Sequence, residues 1–212
     1  MNPIGEGTEQ VEADTHRLFP HATIVRLDSD TFRRPATAQS LWERARSRAC
    51  DILIGTQALF TREPLPPHHV VGILQADSGL HVSDFRAAER TYQLLVDAAS
   101  LAYPASAGGR VILQTRLPSH HAVQALFAGT PHLFYDEELT ARRLLNYPPV
   151  CHIADLTVTG YNLTLVEEAS ARWGTDLQQQ TAVEEHLVVL GPVPTLGGRT
   201  RGRYHRRLLV KG

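Results

Sequence analysis

The sequence predicts an α/β lobe built on a parallel sheet, followed by a small α+β domain. In the first part of the chain, short continuous apolar runs such as Asp51 to Ile54 and Val70 to Leu74 alternate with helical patterns. Continuous apolar runs are typical of strands covered on both faces, and their alternation with helices favours parallel pairing. After Pro148 and Pro149 the order becomes strand, helix, strand, strand. We therefore expect one domain at residues 1–145 and a second at 146–212.

Local patterns place the elements of the lobe. Thr8 is a plausible N-cap, and β-branched or apolar runs mark the strands, while Ser83 can cap the best-populated helical segment. The predicted order is a helix from Thr8 to about Phe19, a strand at Thr23 to Leu27, a helix through Leu41, Trp42 and Ala45, strands at Asp51 to Ile54 and Val70 to Leu74, a helix at Phe85 to Ala102, a strand at Arg110 to Gln114, and helices at His120 to Phe127 and Leu133 to Leu145.

The C-terminal domain is predicted in the same way. Alternating apolar residues indicate strands, and glycines with prolines indicate a loop. The predicted elements are a strand at Ile153 to Val158, a helix at Leu163 to Gln179, a strand at His186 to Leu190, a loop at Gly191 to Gly198 and a strand at Arg203 to Val210.

The composition excludes several classes of protein. With 212 residues, 42% hydrophobic and 20% charged, the chain is typical of a soluble globular protein. No apolar run approaches the roughly 18 residues of a membrane span, and the N-terminus resembles no signal peptide, so we expect a cytoplasmic location without membrane contact.

Metal sites and disulfides are not expected. Cys50 and Cys151 lie far apart, each without a second cysteine nearby, which excludes a Cys-x-x-Cys site and favours two buried thiols. The pairs His68-His69 and His120-His121 have no suitably spaced carboxylate.

A candidate ligand-facing motif follows the predicted strand at Asp51 to Ile54. Gly55, Thr56 and Gln57 come at its carboxyl end, which is where open α/β sheets meet their ligands. Asp77 is predicted to cap a neighbouring strand end near the Gly55 loop. Both features would face a phosphate or nucleic acid.

Eight segments occur in an order that a known family shares. They are GEGTEQVE at Gly5 to Glu12, RLDSDTFRR at Arg26 to Arg34, DILIGTQAL at Asp51 to Leu59, DFRAAERTYQLL at Asp84 to Leu95, ILQT at Ile112 to Thr115, YDEELTARRLLNYPP at Tyr135 to Pro149, VLGPVP at Val189 to Pro194 and RGRY at Arg201 to Tyr204. Together they resemble the C-terminal part of the primosomal protein N-prime (PriA) family of bacterial replication-restart helicases. The resemblance implies a RecA-like second helicase lobe and a C-terminal DNA-binding domain.

The family uses ATP, magnesium and zinc, but the matching motifs are missing from these residues. Lys211 is the only lysine, which excludes a phosphate-binding loop ending in Gly-Lys-Ser/Thr. Thr61, Arg62, Glu63 and Pro64 stand where the family has Lys, Gly, His and usually Asp.

The arginines of a later helicase motif are also replaced. The stretch DAASLAYP at Asp97 to Pro104 aligns with that motif, and Leu101 and Pro104 stand where the family has arginines. An arginine finger is worth roughly 10³ to 10⁵ in rate. The family's first lobe and zinc segment have no counterpart in this sequence either. We therefore expect no catalytic residues, no cofactor and no autonomous ATP hydrolysis.

A basic segment near the C-terminus is the candidate DNA-binding region. Residues 191–212 contain no acidic residue. Arginine binds phosphate bidentately and tyrosine can stack on a base, although a charged strand edge that prevents sheet association would give the same pattern. The candidate residues are Arg199, Arg201, Arg203, Tyr204, Arg206, Arg207 and Lys211.

Three functional hypotheses remain open from the sequence. The first is a degenerate replication-restart protein that binds forked or single-stranded DNA, with single-strand-binding protein and other primosome proteins as further partners. The second is one half of a split 3′–5′ DNA helicase whose first lobe is encoded separately. The third is a protein-interaction scaffold or the product of a decayed gene.

Overall fold

The chain is a mixed α/β protein, and the residues that the structure describes form three small sheets. The computed structural model describes residues 7–181 and 187–212, without the side chains of residues 196–198. Within these residues there are two compact units, Met1–Asp136 and Glu137–Gly212. The predicted domain boundary at residue 145 stays a prediction.

The helices and strands follow the predicted order. They are α1 Thr8–Leu18, β1 Ile24–Leu27, α2 Ser29–Phe32, α3 Pro35–Arg46, β2 Ile52–Gly55, β3 Val70–Ile73, α4 Ala87–Ser100, β4 Arg110–Leu113, α5 His121–Ala128, α6 Pro131–Leu144, β5 Ile153–Gly160, α7 Leu163–Thr181, β6 Val188–Thr200 and β7 Arg203–Lys211. Short 3₁₀ helices lie at Gln57–Thr61, Ser78–His81 and Ala105–Ala107.

Parallel pairing in the first unit is confirmed. β1 pairs with β2, and β3 pairs with β4. In the described part of the chain these are separate two-stranded sheets, so the RecA-like lobe stays a prediction. The expectation that the strand at Val70 to Leu74 is covered on both faces is wrong, because Val70 is largely exposed and Gly72, two residues further along the same face of β3, is exposed as well.

Three apolar clusters form the core of the first unit. The largest lies between α3 and the β1–β2 pair, and it buries both inward-facing residues of β1. The other two lie around α4 and α5, where the rings of Tyr92 and Phe134 stack with their centroids 4.3 Å apart. The clusters are Val25, Leu27, Trp42, Ala45 and Leu65; Tyr92, Ala122, Ala125 and Phe134; and Ala76, Leu95 and Val123.

Both predicted N-caps in this unit are wrong. Thr8 is the first residue of α1, whose N-cap is Gly7, because the Thr8 hydroxyl donates to the Asp28 carboxylate at 2.6 Å. Helix α4 begins at Ala87 and not near Ser83. The Asp84 carboxylate accepts the Arg86 N–H at 2.9 Å, and this turn occupies the residues before the helix.

The second unit is an antiparallel sheet in the order β5-β7-β6, with α7 against it. This confirms the predicted strand, helix, strand, strand pattern. The predicted loop at Gly191 to Gly198 is wrong, since β6 continues through it with irregularities between Leu190 and Val193 and between Pro194 and Arg199. The irregularities leave unpaired those residues that cannot join the regular hydrogen-bond pattern between β6 and β7, such as Gly191 with its φ of +96°. His186 lies outside the described residues.

None of the helices in the described ranges is long and apolar enough to cross a membrane.

Candidate nucleic-acid interface

The end of the β6–β7 hairpin brings three arginines together. Arg201 and Gly202 join the strands with φ values of +50° and +81°. Positive φ at both central residues is the geometry of a type I′ turn, which matches the twist of a two-residue hairpin. The register pairs Arg199 with Tyr204 and Thr200 with Arg203, so the arginines at 199, 201 and 203 surround this turn.

Two of these arginines lie over tyrosine rings. The guanidinium carbon of Arg199 is 5.0 Å from the ring centroid of Tyr204. That of Arg203 is 5.0 Å from the ring centroid of Tyr161, in the turn between β5 and α7. We call Arg199, Arg201, Arg203, Tyr161 and Tyr204 the tip cluster. Guanidinium groups bind phosphate and tyrosine rings stack on bases, so the cluster combines the two contacts that single-stranded nucleic acid needs.

The arginines of the tip cluster are available to a ligand. All three are exposed. Arg199 Nε donates to the Gly202 carbonyl oxygen at 3.2 Å, within the turn itself. Across the described ranges, no carboxylate forms an ion pair with any of them. Their positive charges are therefore not neutralised by any carboxylate in those ranges.

The other predicted basic residues have partners inside the second unit. Arg206 pairs with Glu167 of α7, and Arg207 pairs with Asp155 of β5 at 2.8 Å. The Lys211 ammonium donates to the Leu145 carbonyl oxygen at 2.5 Å and lies 4.4 Å from the Tyr147 ring centroid. Apart from Tyr204, the predicted DNA-binding set thus consists of three arginines without an ion pair among the described residues and three engaged cations.

Tyr161 was not predicted from the sequence. It follows Gly160, which pairs with Tyr204, and so it lies beside Arg203 at the end of the sheet. An aromatic residue in a turn was the only local signal. Its proximity to Arg203 depends on the register between β5 and β7, which are distant in the sequence, and no sequence spacing encodes that register.

Among the described residues, the sheet of the second unit has one face that α7 does not cover. Leu208 of β7 is fully buried and lies near Gly174 of α7, so residues at alternate positions, such as Arg203 and Arg207, point away from the helix. Thr157 and Thr159 of β5 share that face through the antiparallel register and are exposed. We call this surface the open sheet face.

The predicted GTQ motif lies where the sequence placed it, at the carboxyl end of β2. Gly55 ends the strand, the Thr56 hydroxyl accepts the Ala58 N–H at 3.4 Å, and Gln57 begins a 3₁₀ helix. A Cβ at Gly55 would lie 2.4 Å from a methyl carbon of Leu59, so a larger residue at this position would displace the Leu59 side chain.

Asp77 links the loops that follow β3 and β4. Its buried carboxylate accepts the Arg116 N–H at 3.0 Å and lies 3.6 Å from Nε2 of His81. The backbone hydrogen bond from Arg116 lowers the pKa of Asp77, against the opposing effect of burial. This role is structural, and the predicted proximity to the Gly55 loop stays a prediction.

An ionic cluster centred on the buried Asp28 joins two segments that carried the family resemblance. Arg26 pairs with Asp28 at 2.6 Å, with Glu12 at 2.9 Å and with Glu9 at 3.6 Å. Burial raises the pKa of Asp28, but hydrogen bonds from Thr8 and Thr31, with the charge of Arg26, outweigh it and lower that pKa to about 2. The cluster ties α1 to β1, and no sequence pattern indicated it.

The positions aligned with the family's helicase arginines are occupied by residues that build the fold. Leu101 packs against the largest apolar cluster, and its carbonyl oxygen accepts the His68 N–H at 2.7 Å. Pro104 directly precedes a 3₁₀ turn at Ala105–Ala107. In the divergent loop, Arg62 lies over the rings of Phe32 and Trp42.

No group of three or more histidine, cysteine or acidic side chains within residues 7–181 and 187–212 is arranged to hold a metal ion.

Comparison with known proteins places this arrangement in a family. Residues 143–212 match the family described as the primosomal protein N C-terminal domain. Over 98% of its length the chain is similar to the replication restart protein PriA of Bacillus subtilis at 31% identity, of Synechocystis at 34% and of Treponema pallidum at 33%. The chain spans 26%, 25% and 31% of the lengths of these three relatives.

Proposed function

The chain belongs to the PriA family of replication restart proteins, matching its C-terminal part, and from that premise we propose that these 212 residues bind forked or single-stranded DNA without hydrolysing ATP. The tip cluster is the proposed contact surface. A cytoplasmic location beside the chromosome, and contacts with single-strand-binding protein or other primosome proteins, are part of the same proposal.

The observation that carries the DNA-binding proposal is the exposure of Arg199, Arg201 and Arg203 at one hairpin end. Protein–DNA affinity comes largely from neutralised phosphates and released counterions. Cations already held by carboxylates contribute less, because the bound phosphate must replace an existing partner. The tip arginines have no such partner among the described residues, whereas Arg206 and Arg207 do.

Two observations support the absence of ATP hydrolysis by these residues alone. The single lysine, Lys211, is engaged with the Leu145 carbonyl oxygen in the second unit. Leu101 packs into an apolar cluster at the position of a family arginine. With neither a lysine at a phosphate loop nor an arginine at this helix end, the residues present do not fit a nucleoside triphosphate.

A salt-dependent titration tests the DNA-binding proposal. The full chain is titrated against labelled forked DNA by fluorescence anisotropy at about 50 and 200 mM salt, and three single-strand phosphate contacts predict a roughly 20-fold fall in affinity over that range. The variant R199A/R201A/R203A should lose most of this dependence. Affinity that is absent, or indifferent to salt, would contradict the proposal.

A control variant separates local contacts from net charge. Arg17, Arg33 and Arg90 lie in the first unit, are each largely exposed and form surface ion pairs with nearby aspartates. R17A/R33A/R90A removes the same three charges as the tip variant. It should bind DNA nearly as well as the unmodified chain, and an equal loss in both variants would indicate a nonspecific charge effect.

The ATP proposal has its own assay. Phosphate release is measured from the purified chain with magnesium and ATP, with and without single-stranded DNA. We expect no turnover above the background without protein. Robust DNA-stimulated hydrolysis by the chain alone would show that the missing lysine and arginines are replaced by other groups.

A second candidate function, assembly with a separate helicase lobe, is favoured by an exposed apolar surface on the β3–β4 pair. Val70, Leu74 and Ile112 are all more than half exposed. Exposed apolar patches often mark protein interfaces. Mixing the chain with the remaining N-terminal part of the Bacillus subtilis relative tests this, with sedimentation as the measurement, and Ile112→Glu should prevent a complex that the unmodified chain forms.

A further inference from the structure

We propose that Tyr161 stacks on an unpaired base of single-stranded DNA and makes the tip cluster prefer single strands over duplex, an inference that rests on the proposed DNA binding. The side chain of Tyr161 is 70% exposed, although Arg203 lies over its ring. Nothing in the family comparison assigns a role to this residue. Its position and the chemistry around it carry the inference.

The backbone holds Tyr161 in a defined place. It stands between Gly160, the last residue of β5, and Asn162, whose side-chain oxygen accepts the Leu165 N–H at 3.2 Å. The Asn162 carbonyl oxygen accepts the Val166 N–H at 3.2 Å, in the first turn of α7. The ring is therefore presented from the junction of a strand and a capped helix, and stacking requires little additional ordering of the chain.

Arg203 supplies the second contact of the same nucleotide. Its guanidinium carbon is 5.0 Å from the Tyr161 ring centroid and it has no carboxylate partner in the described ranges. A base stacked on the exposed part of the ring would place its own phosphate within reach of this cation. Cation–aromatic pairs contribute in the same way at single-strand sites of other proteins.

The open sheet face can accept the strand beyond that nucleotide. Thr157 and Thr159 present exposed hydroxyls next to β7, and Arg207 lies further along the same face. Single strands are commonly bound across such sheets, with aromatic rings stacking on bases whose faces are free. In a duplex, both faces of each base are already stacked, so the ring of Tyr161 has no free base to bind.

The experiment compares ring removal with hydroxyl removal. Tyr161→Leu removes the ring, whereas Tyr161→Phe keeps it. Each variant is titrated by anisotropy against an oligo-deoxythymidine of about 16 nucleotides, the upper end of single-domain site sizes, and against a blunt-ended duplex of two complementary strands. Trp173→Leu is the matched control, because Trp173 is a half-exposed aromatic of α7, roughly 15 Å along the helix from Leu163.

Tyr161→Leu should lose about five- to hundredfold in affinity for the single strand and keep its affinity for the duplex. Tyr161→Phe and Trp173→Leu should bind both DNA forms like the unmodified chain. If Tyr161→Leu binds single strands normally while R199A/R201A/R203A does not, the stacking inference fails and the proposed function stands. Equal losses on both DNA forms also overturn the stacking inference. If the unmodified chain binds neither DNA, the proposed function and the stacking inference both fail.

Discussion

Asp28→Asn should destabilise the first unit, and the loss should disappear in acid. The Asp28 side chain is buried, with 5% of the residue exposed. Its carboxylate accepts hydrogen bonds from the Thr8 hydroxyl at 2.6 Å, the Thr31 N–H at 2.8 Å and the Arg26 guanidinium at 2.6 Å. An amide cannot accept all of these donors, and its own N–H groups would face some of them.

The lowered pKa of Asp28 gives the size of the stability loss expected in Asp28→Asn. A fall from the ordinary 3.8 to about 2 corresponds to about 2 kcal/mol of folding stability. Because the pKa is lower in the folded state, this stability is fully present above pH 4 and is lost as the pH falls through about 2. We expect Asp28→Asn to unfold with about 2 kcal/mol less free energy at pH 7. The two chains should converge in stability near pH 2.

Urea titrations followed by tryptophan fluorescence measure this difference. Trp42 belongs to the core cluster beside β1, and a Trp173→Phe background makes it the only tryptophan and hence the reporter of the first unit. Asp30→Asn is the matched control, because the Asp30 side chain is 73% exposed and its ion pair among the described residues is with Arg33 of the same turn. An exposed pair of this kind contributes less than about 1 kcal/mol.

Two results would refute the reasoning. If Asp28→Asn and Asp30→Asn have the same stability at pH 7, the ion pairs and hydrogen bonds of Asp28 contribute no more to folding stability than an exposed ion pair. If the loss in Asp28→Asn is the same at pH 7 and near pH 2, the cause is packing and not ionisation of the carboxylate.

Three further predictions follow from single positions. Arg203→Ala should lower the slope of log affinity against log salt for single-stranded DNA by about 0.7, the value for one phosphate contact, and an unchanged slope would exclude that contact. Leu101→Arg, which restores the family residue, should lower the free energy of unfolding in urea by more than about 2 kcal/mol, because a charge would enter an apolar cluster. The variant should still have no ATPase activity, and any ATP turnover would contradict this expectation. Gly109→Ala should be more destabilising than Gly108→Ala, because a Cβ at position 109 would lie 1.7 Å from the Tyr103 carbonyl oxygen. A Cβ at position 108 would meet open space, so Gly108→Ala should cost only about 1–2 kcal/mol for an alanine at φ +82°. Similar unfolding midpoints of the two variants would refute this comparison.

Local patterns in the sequence predicted the order and type of the elements well. The apolar runs at β1, β2 and β3 and the periodic apolar positions of α4 reflect burial of one face, a property that short segments carry by themselves. The two caps were less predictable. Thr8 and Ser83 both have side chains that can cap a helix, but at Thr8 a buried aspartate 20 residues away takes the hydroxyl.

The candidate site was predictable only in part. The excess of arginines near the C-terminus and the missing acidic residues are visible in composition. Which arginines remain exposed is not, because Arg206 and Arg207 are neutralised by Glu167 and Asp155, which lie 39 and 52 residues earlier. The long β6 strand was also missed, since the irregular pairing that accepts Gly191 and its neighbours is a property of two strands together.

The sequence by itself determined that the chain is an α/β protein of the PriA family, with one lysine, no phosphate loop and a basic C-terminal segment, because these follow from residue identity and local spacing. Only the tertiary structure decided that Leu101 packs in a core, that Tyr161 lies beside Arg203, and that three arginines of the hairpin are unpaired among the described residues. The physical reason is that strand register brings distant residues together, and a charge is available to a ligand only when no such neighbour neutralises it.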